Sequence, residues 1–498
     1  MAENIKNFIN GKWVDSKSGE TFETRMPAQW DSVLATVAKS GPEDVNEAVK
    51  AAKDAFKKWS KVPAAKRGEI LGRVGDIMVK RKEELAQLMT KEMGKIISEA
   101  RGDVQEGIDT AYYAFGEGRR FFGKTSPSEL TNKVNITFLR PIGVAGLICP
   151  WNFPIAIPTW KMFPALLSGN TVVIKPASDT PLMVAKLFEI MIEAGVPEGV
   201  INMVNGPGSS VGNALLEHKD VGVISFTGSS AVGKHIASVA GKSLKKVSLE
   251  LGGKNGQIVM DDADLELAVE GALFGAFGTA GQRCTATSRI IIHEDIHDRF
   301  VERLVERAEK LKIGKPWDED TDVGPVINEA ALNKIHSYID IGKEEGAELV
   351  TGGEKCTEGD CSRGWFYKPT VFTNVKPMSR LEQEEIFGPV LSIIKVSSFE
   401  EAIDVINDIE YGLSSSIYTR DINKGLKAVE DIEAGITYIN GPTIGAECHM
   451  PFGGVKATGN GHREGGWTVY EIYTEQKTVY IDYSGKLQKA QIDTSVEK

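Results

Sequence analysis

Between residues 142 and 251 the chain alternates short, mostly apolar runs with amphipathic ones, and that alternation leaves little choice of architecture. The runs at 142–149, 171–174, 221–226 and 247–251 read as strands, and the β-branched 171–174 is of the kind covered on both sides of a parallel sheet. The stretches 181–194 and 229–240 read as helices, the first opened by Pro181 and closed by Gly195. Alternation of this kind predicts an α/β fold. Lys175, Gly228 and Glu250 then fall at the carboxyl ends of strands, the edge where open α/β sheets hold ligands.

A second block begins near Lys254, with helices expected at 265–279, 298–311 and 329–346 and strands near 288–292 and 390–396. Upstream, 44–59 keeps one apolar face and reads as a helix, with Ser40 and Glu43 as its capping box. Segments 134–139 and 478–483 alternate apolar and polar residues and read as strands that need a partner along an open edge. The chain has 498 residues, a length for about three domains. It shows no internal repeat, and its tail, 488–498, is polar and expected to be loosely ordered.

A net charge of −11 argues against non-specific binding to nucleic acid or anionic membrane. The uncharged stretch 141–160 carries four prolines and is closed by Lys161, so it reads as a buried strand and loop rather than a membrane span. Residues 1–6 lack the apolar core of a signal peptide, and the five cysteines are odd in number, so reduced thiols in the cytoplasm are expected. Cys356 and Cys361 have no second pair at metal-ligand spacing, and no metal site is expected.

Two glycine-rich segments bear on phosphate binding. Gly206 and Gly208 are followed next by Gly212, which misses the Gly-x-Gly-x-x-Gly spacing. The run from Gly228 to Lys234 nearly fits a P-loop, but His235 stands where a magnesium-binding hydroxyl is needed. What remains is a strand leading into a helix whose first amide groups favour a pyrophosphate.

Cys284 sits among small and polar residues, with Gly281-Gln282-Arg283 before it and Thr285 after, room that a sulfur nucleophile requires. A buried structural thiol is the commoner fate of a lone cysteine. Glu250 lies between Leu249 and Leu251 and is followed by Gly252 and Gly253, so it is either paired or kept for proton transfer. A free thiol is only a few per cent thiolate at neutral pH, so an activating base or an electropositive setting is expected around Cys284. Arg283 is adjacent, but nothing in the sequence aims its side chain at the sulfur, and it is given no role.

These two segments resemble the cysteine and glutamate signatures of the aldehyde dehydrogenase superfamily. Further matches follow in the family's order across nearly the whole chain: Pro150-Trp151-Asn152-Phe153-Pro154, Lys175-Pro176, Phe226-Thr227-Gly228-Ser229, Glu385-Ile386-Phe387-Gly388-Pro389 and Pro451-Phe452-Gly453-Gly454. The resemblance implies the aldehyde dehydrogenase fold. Its parts would be a variant Rossmann domain (1–122 and 142–253), an α/β catalytic domain (254–457) and a small β oligomerisation arm (123–141 and 474–490), assembling as a homodimer or homotetramer.

It also implies roles. Cys284 would attack the aldehyde, Asn152 and the Cys284 backbone N–H would hold the oxyanion, and Glu250 would activate the water that hydrolyses the thioester. Cys149, Trp151, Lys175, Ser178, Gly228, Ser229, Glu385 and Phe387 would hold NAD or NADP, and Phe153, Trp160 and Phe452 would line the substrate channel. Core packing is the default reading of those aromatics, and a turn that of Asn152.

Strictly NAD-dependent relatives commonly carry a glutamate where this chain has Ser178, so NADP is expected to be accepted beside NAD. The stretches 281–289 and 458–464 look like branches that oxidise semialdehydes bearing a carboxylate, such as 2-oxoglutarate or aminoadipate semialdehyde. A broad aliphatic or aromatic range is the alternative. An acylating enzyme that passes the acyl group to coenzyme A, a cysteine hydrolase without a dinucleotide, and a non-catalytic protein on this fold are disfavoured by Glu250, by Lys175 with Glu385, and by the retained Cys284, respectively.

Overall fold

The computed structural model describes residues 3–121 and 123–492, so residues 493–498 of the polar tail lie outside the described residues. Two seven-stranded sheets dominate the α/β fold. The first runs, edge to edge, through Lys246–Glu250, Val221–Thr227, Val144–Ile148, Thr171–Lys175, Ile201–Met203, Asn7–Ile9 and Lys12–Val14. Its first five strands are parallel and the last two join antiparallel. Every residue of Val144–Ile148 and Thr171–Lys175 is buried, which is why these segments carry no alternation.

The chain order reverses between Val144–Ile148 and Val221–Thr227, which lie side by side although much of the chain separates them. Such a reversal opens a crevice at the carboxyl ends of the two strands. Trp151 and Asn152 follow one strand, and Gly228 and Ser229 follow the other.

The second sheet runs through Glu348–Thr351, Thr370–Thr373, Val390–Val396, Thr287–His293, Asn255–Val259, Ser414–Tyr418 and Ile436–Ile439. All its pairings are parallel except the first. A separate three-stranded sheet joins Thr474–Asp482 to Lys133–Pro141 over nine residue pairs, with Thr125–Pro127 on the far side.

Several boundaries differ from expectation for identifiable reasons. The first long helix is Pro42–Trp59, and Gly41 rather than Ser40 precedes it. Asp44 accepts from the Gly41 N–H at 3.0 Å, while Ser40 is occupied by Asn7 at 2.7 Å, so the Ser40–Glu43 box does not form. The helix expected at 298–311 is Glu294–Ala308, capped by the His293 ring. The helix expected to reach 279 stops at Phe277, because Thr279, Ala280 and Gly281 all take positive φ. The stretch 141–160 contains the expected strand and loop but also the start of a buried helix, Ala156–Ser168.

Candidate active site

Three successive left-handed residues, Thr279 (φ 53°), Ala280 (φ 52°) and Gly281 (φ 69°), turn the chain sharply before the cysteine. Two of them are not glycine, a costly conformation that persists only where surroundings enforce it. Glu99 does so by accepting from the Thr279 N–H at 2.8 Å and its hydroxyl at 3.0 Å. A Cβ on Gly281 would stand 2.1 Å from the Gly388 carbonyl oxygen, so this backbone approach demands glycine. Asn255, unremarked in the sequence, fixes the other side of the loop, donating to the Cys284 carbonyl at 2.8 Å and to that of Ala286 at 2.9 Å.

Cys284 emerges at the junction of two cavities. One, of about 270 Å³, is bordered by Trp151, Asn152, Gly228, Ser229, Glu385 and Phe387. The other, of about 120 Å³, is bordered by Phe153, Trp160, Glu250, Phe452, Glu106 and Arg283. The expected polar and aromatic groups therefore fall on opposite sides of one sulfur. Trp151 and Phe387 meet edge to face at 5.5 Å, and Trp160 and Phe452 at 5.0 Å. The Trp160 indole N–H is buried without a hydrogen-bond partner among the described residues.

The thiol does not lie in the activating setting expected from the sequence. Burial, with the Glu385 and Glu250 carboxylates, pushes it up to about 12. The same loop still turns its own N–H and that of Thr285 toward the sulfur, which favours the thiolate. Asn152 is buried and donates one carboxamide N–H to the Gln282 carbonyl at 3.1 Å, which fixes the amide group.

Glu250 ends its strand fully buried, and neither of its oxygens finds a hydrogen-bond partner in good geometry. Burial and the charge of Glu464 raise it well above the ordinary carboxylate value, while Lys161 and Arg463 pull the other way. A Cβ on Gly453 would lie 2.4 Å from Glu250 Oε1, so the Phe-Gly-Gly segment presses on the carboxyl group. Lys161 is paired with Glu464 and donates to Ser225 Oγ at 2.9 Å, all three buried. Sequence reading took Lys161 as the polar end of an apolar stretch. A solitary lysine inside an otherwise uncharged run was the signal, since such a charge is buried only when paired.

Glu385 accepts from the Gly253 N–H at 3.0 Å, and a Cβ on Gly252 would lie 2.7 Å from its other oxygen. That close approach requires glycine at 252, and at 253 a Cβ would meet the Cys284 carbonyl oxygen at 2.6 Å. Lys175 and Ser178 lie beyond the 270 Å³ cavity. Lys175 donates to the Pro176 carbonyl at 2.7 Å, and burial brings its ammonium group down to about 8. Ser178 is half-buried and donates weakly to the Gly206 carbonyl at 3.4 Å. Cys149 packs in the core below the strand ends, its N–H donating to the Lys175 carbonyl at 3.1 Å.

Arg283 does not turn away. It borders the substrate-side cavity, held by Glu99 at 2.8 Å and by Thr279 Oγ1 at 3.0 Å. Glu106, on the helix Ile97–Glu117, faces the same space and was not singled out from the sequence. Burial pushes its carboxyl up to about 8.

Residues 13–479 match the aldehyde dehydrogenase family. The chain belongs to the aldehyde dehydrogenase family. It is 46% identical to the alpha-ketoglutaric semialdehyde dehydrogenase of Bacillus subtilis (strain 168), over 95% of this chain and 97% of that protein. It is 44% identical to the alpha-ketoglutarate semialdehyde dehydrogenase of Haloferax volcanii, over 97% of this chain and 100% of that protein. A crystal structure of betaine aldehyde dehydrogenase from Staphylococcus aureus in complex with NAD+ superposes with a TM-score of 0.94 at 37% identity, covering 97% of this chain and 95% of that one. As an aldehyde dehydrogenase, the protein is an NAD(P)-dependent oxidoreductase that converts an aldehyde to its carboxylic acid.

The residues present fit a dinucleotide. The Ser230–Lys242 helix begins with no side chain capping its first amide groups, so these are free for a pyrophosphate. Gly228 is required there, because a Cβ would strike the Phe226 ring at 2.5 Å. Among the described residues no group of three or more acidic, histidine or cysteine side chains is placed to hold a metal, and no helix is long and apolar enough to cross a membrane.

Proposed function

We propose that Cys284, Glu250 and Asn152 carry the oxidation and that the substrate is a semialdehyde bearing a carboxylate, with 2-oxoglutarate semialdehyde the leading candidate. The observation that carries this reading is the position of the Cys284 sulfur, open on one side to a polar, glycine-lined cavity and on the other to an aromatic one that also holds Glu250.

The aldehyde enters among Phe153, Trp160 and Phe452, and Cys284, having released its proton to solvent, adds as the thiolate to its carbonyl carbon. Asn152 has an N–H left after bonding Gln282, and it receives the resulting oxyanion together with the Cys284 N–H. Bound dinucleotide supplies the acceptor for the hydride. Glu250, on the substrate side of the sulfur, takes a proton from water to release the acid from the thioester. Retention of that base favours hydrolysis over transfer to coenzyme A.

Trp151, Gly228, Ser229, Glu385 and Phe387 would hold the nicotinamide end, and Lys175 with Ser178 and the Cys149 backbone the adenosine end. Ser178 offers a hydroxyl where a glutamate would repel a 2′-phosphate, so both NAD and NADP are accepted.

Arg283 supports a carboxylated substrate. It is the one arginine or lysine among the residues bordering the substrate-side cavity, and its Nη1 has no hydrogen bond among the described residues. Glu106 beside it, whose carboxyl burial favours in the protonated form, would donate to an oxo or hydroxyl oxygen next to the carboxylate. The names of the relatives point the same way.

The three sheets support the division into a cofactor domain (1–122 and 142–253), a catalytic domain (254–457) and an arm (123–141 and 474–490). The arm leaves Phe138, Tyr480 and Ile481 exposed in a single chain, which favours a homodimer or homotetramer, and five free thiols favour the cytoplasm. A panel of carboxylated, short aliphatic and aromatic aldehydes, followed by reduced-nicotinamide absorbance with each cofactor, tests the substrate. A kcat/KM for the carboxylated semialdehydes no higher than for neutral aldehydes of similar length would overturn that choice.

A further inference from the structure

The hairpin of Lys355–Cys356 and Phe366–Tyr367 falls in the chain between Glu348–Thr351, an edge strand of the second sheet, and its neighbour Thr370–Thr373, and none of its residues borders either cavity beside Cys284. Cys356 is paired directly with Phe366 across the hairpin. A short turn, Gly359–Cys361, folds back inside it, closed by the Cys361 N–H donating to the Glu358 carbonyl at 3.0 Å and the Gly364 N–H to the Cys361 carbonyl at 3.2 Å.

That turn brings Cys361 into a small apolar cluster with Phe366 and Ala28, and Cys356 packs against the same cluster. Cys361 is buried, and Cys356 is half-buried at the rim. Both thiols therefore belong to one small cluster around Phe366, one from the strand and one from the turn.

The surroundings hold this geometry from several sides. Asp360 pairs with Lys315 at 2.7 Å, Trp30 N–H donates to the Arg363 carbonyl at 2.8 Å, and Trp365 N–H donates to that of Pro27 at 3.0 Å. Gly364 is pressed so closely that a Cβ would meet the Ala28 carbonyl oxygen at 2.8 Å. Neither thiol is used by the oxidation described above, and two thiols gathered in one small cluster on a clamped turn can meet with little movement of the chain.

We propose that Cys356 and Cys361 form a reversible dithiol–disulfide site whose oxidant is a low-molecular-weight disulfide. Cys356, the accessible member, attacks the small disulfide as its thiolate, forming a mixed disulfide and expelling one small thiol. Cys361 then loses its proton, attacks the Cys356 sulfur and expels the second small thiol. The protein loses two electrons and two protons, and the small disulfide is reduced to two thiols. Burial, and then the neighbouring Cys356 sulfur, raise the Cys361 thiol well above the ordinary range. That assigns it the second, intramolecular step.

The chain offers a direct readout, because trypsin cuts after Lys355 and Arg363 and so releases both cysteines on one peptide, 356–363, apart from Cys284. The full-length enzyme is incubated with oxidised glutathione, unfolded with excess maleimide, digested and weighed. The expected product is peptide 356–363 lighter by two hydrogens and without maleimide, returning to a doubly labelled form after reduction. In Cys361→Ser the first step has no follower, so Cys356 keeps glutathione. A wild-type peptide that stays doubly labelled, or that carries glutathione on Cys356 to the same extent as Cys361→Ser, would overturn the proposal.

Discussion

Arg283 donates to Glu99 at 2.8 Å, tying the residue beside Cys284 to the start of the long Ile97–Glu117 helix. Glu99 also accepts from the Thr279 N–H and hydroxyl, so one carboxylate both holds the strained turn and orients the guanidinium group toward the substrate-side cavity. Position and charge at residue 283 are therefore set by a partner remote in sequence.

If Arg283 receives a substrate carboxylate, Arg283→Gln removes a charge-assisted hydrogen bond of about 1.5–3 kcal/mol, roughly ten- to hundred-fold in kcat/KM for carboxylated semialdehydes. Neutral aldehydes should change far less. Equal losses for both classes would mean that the substitution acts through the loop and not through the substrate.

Cys284→Ser should leave dinucleotide binding intact while oxidation falls by several orders of magnitude, since a hydroxyl ionises far less readily than a thiol. Glu385→Gln removes the larger of the two carboxylate effects that raise this thiol. Cys284 in that variant should be alkylated by iodoacetamide faster than in the wild type at the same pH. An unchanged alkylation rate would contradict the electrostatic account.

Glu250→Gln should cost roughly 10²–10⁴-fold in turnover and let an acyl-enzyme accumulate on Cys284, visible by intact mass. In the wild type the hydrolytic step should rise with pH, because Glu250 must lose the proton that burial and Glu464 make it keep. The effect on stability has the opposite sign. Between the ordinary carboxylate value and the raised one, only the folded chain holds that proton, so this group's contribution falls as pH increases. Glu250→Gln should accordingly lose less thermal stability than the wild type as pH rises from the ordinary carboxylate range upward, which parallel melting curves would measure.

Ser178→Glu places a carboxylate near the proposed 2′-phosphate position and should raise KM for NADP much more than for NAD. Equal effects would show that residue 178 does not face the ribose.

The arm strands Thr474–Asp482 and Lys133–Pro141 pair along their full length yet expose Phe138, Tyr480 and Ile481. Ending the chain after Glu475 should weaken assembly, read by light scattering at micromolar concentration. A monomer in the full-length chain would refute the assembly.

By itself the sequence determined the layered α/β architecture and the chemistry at the ends of its strands. Apolar β-branched runs such as Thr171–Lys175 have no wet face in any register, and paired glycines after a buried glutamate mark a place where other segments come close to the backbone. Cys284, Glu250, Asn152 and Glu385 were legible because each occupies a short contiguous motif.

Only the tertiary structure decided what lies around them. Lys161 and Glu464, or Arg283 and Glu99, meet through folding across long stretches of chain, and their burial sets charges that no local pattern encodes. The left-handed turn at Thr279 and Ala280 was equally hidden, because neither residue prefers that conformation and only Glu99 and the Gly388 backbone impose it. Desolvation likewise made the Cys284 thiol harder to ionise than its neighbours in sequence would imply, since that cost depends on the walls of the finished cavity.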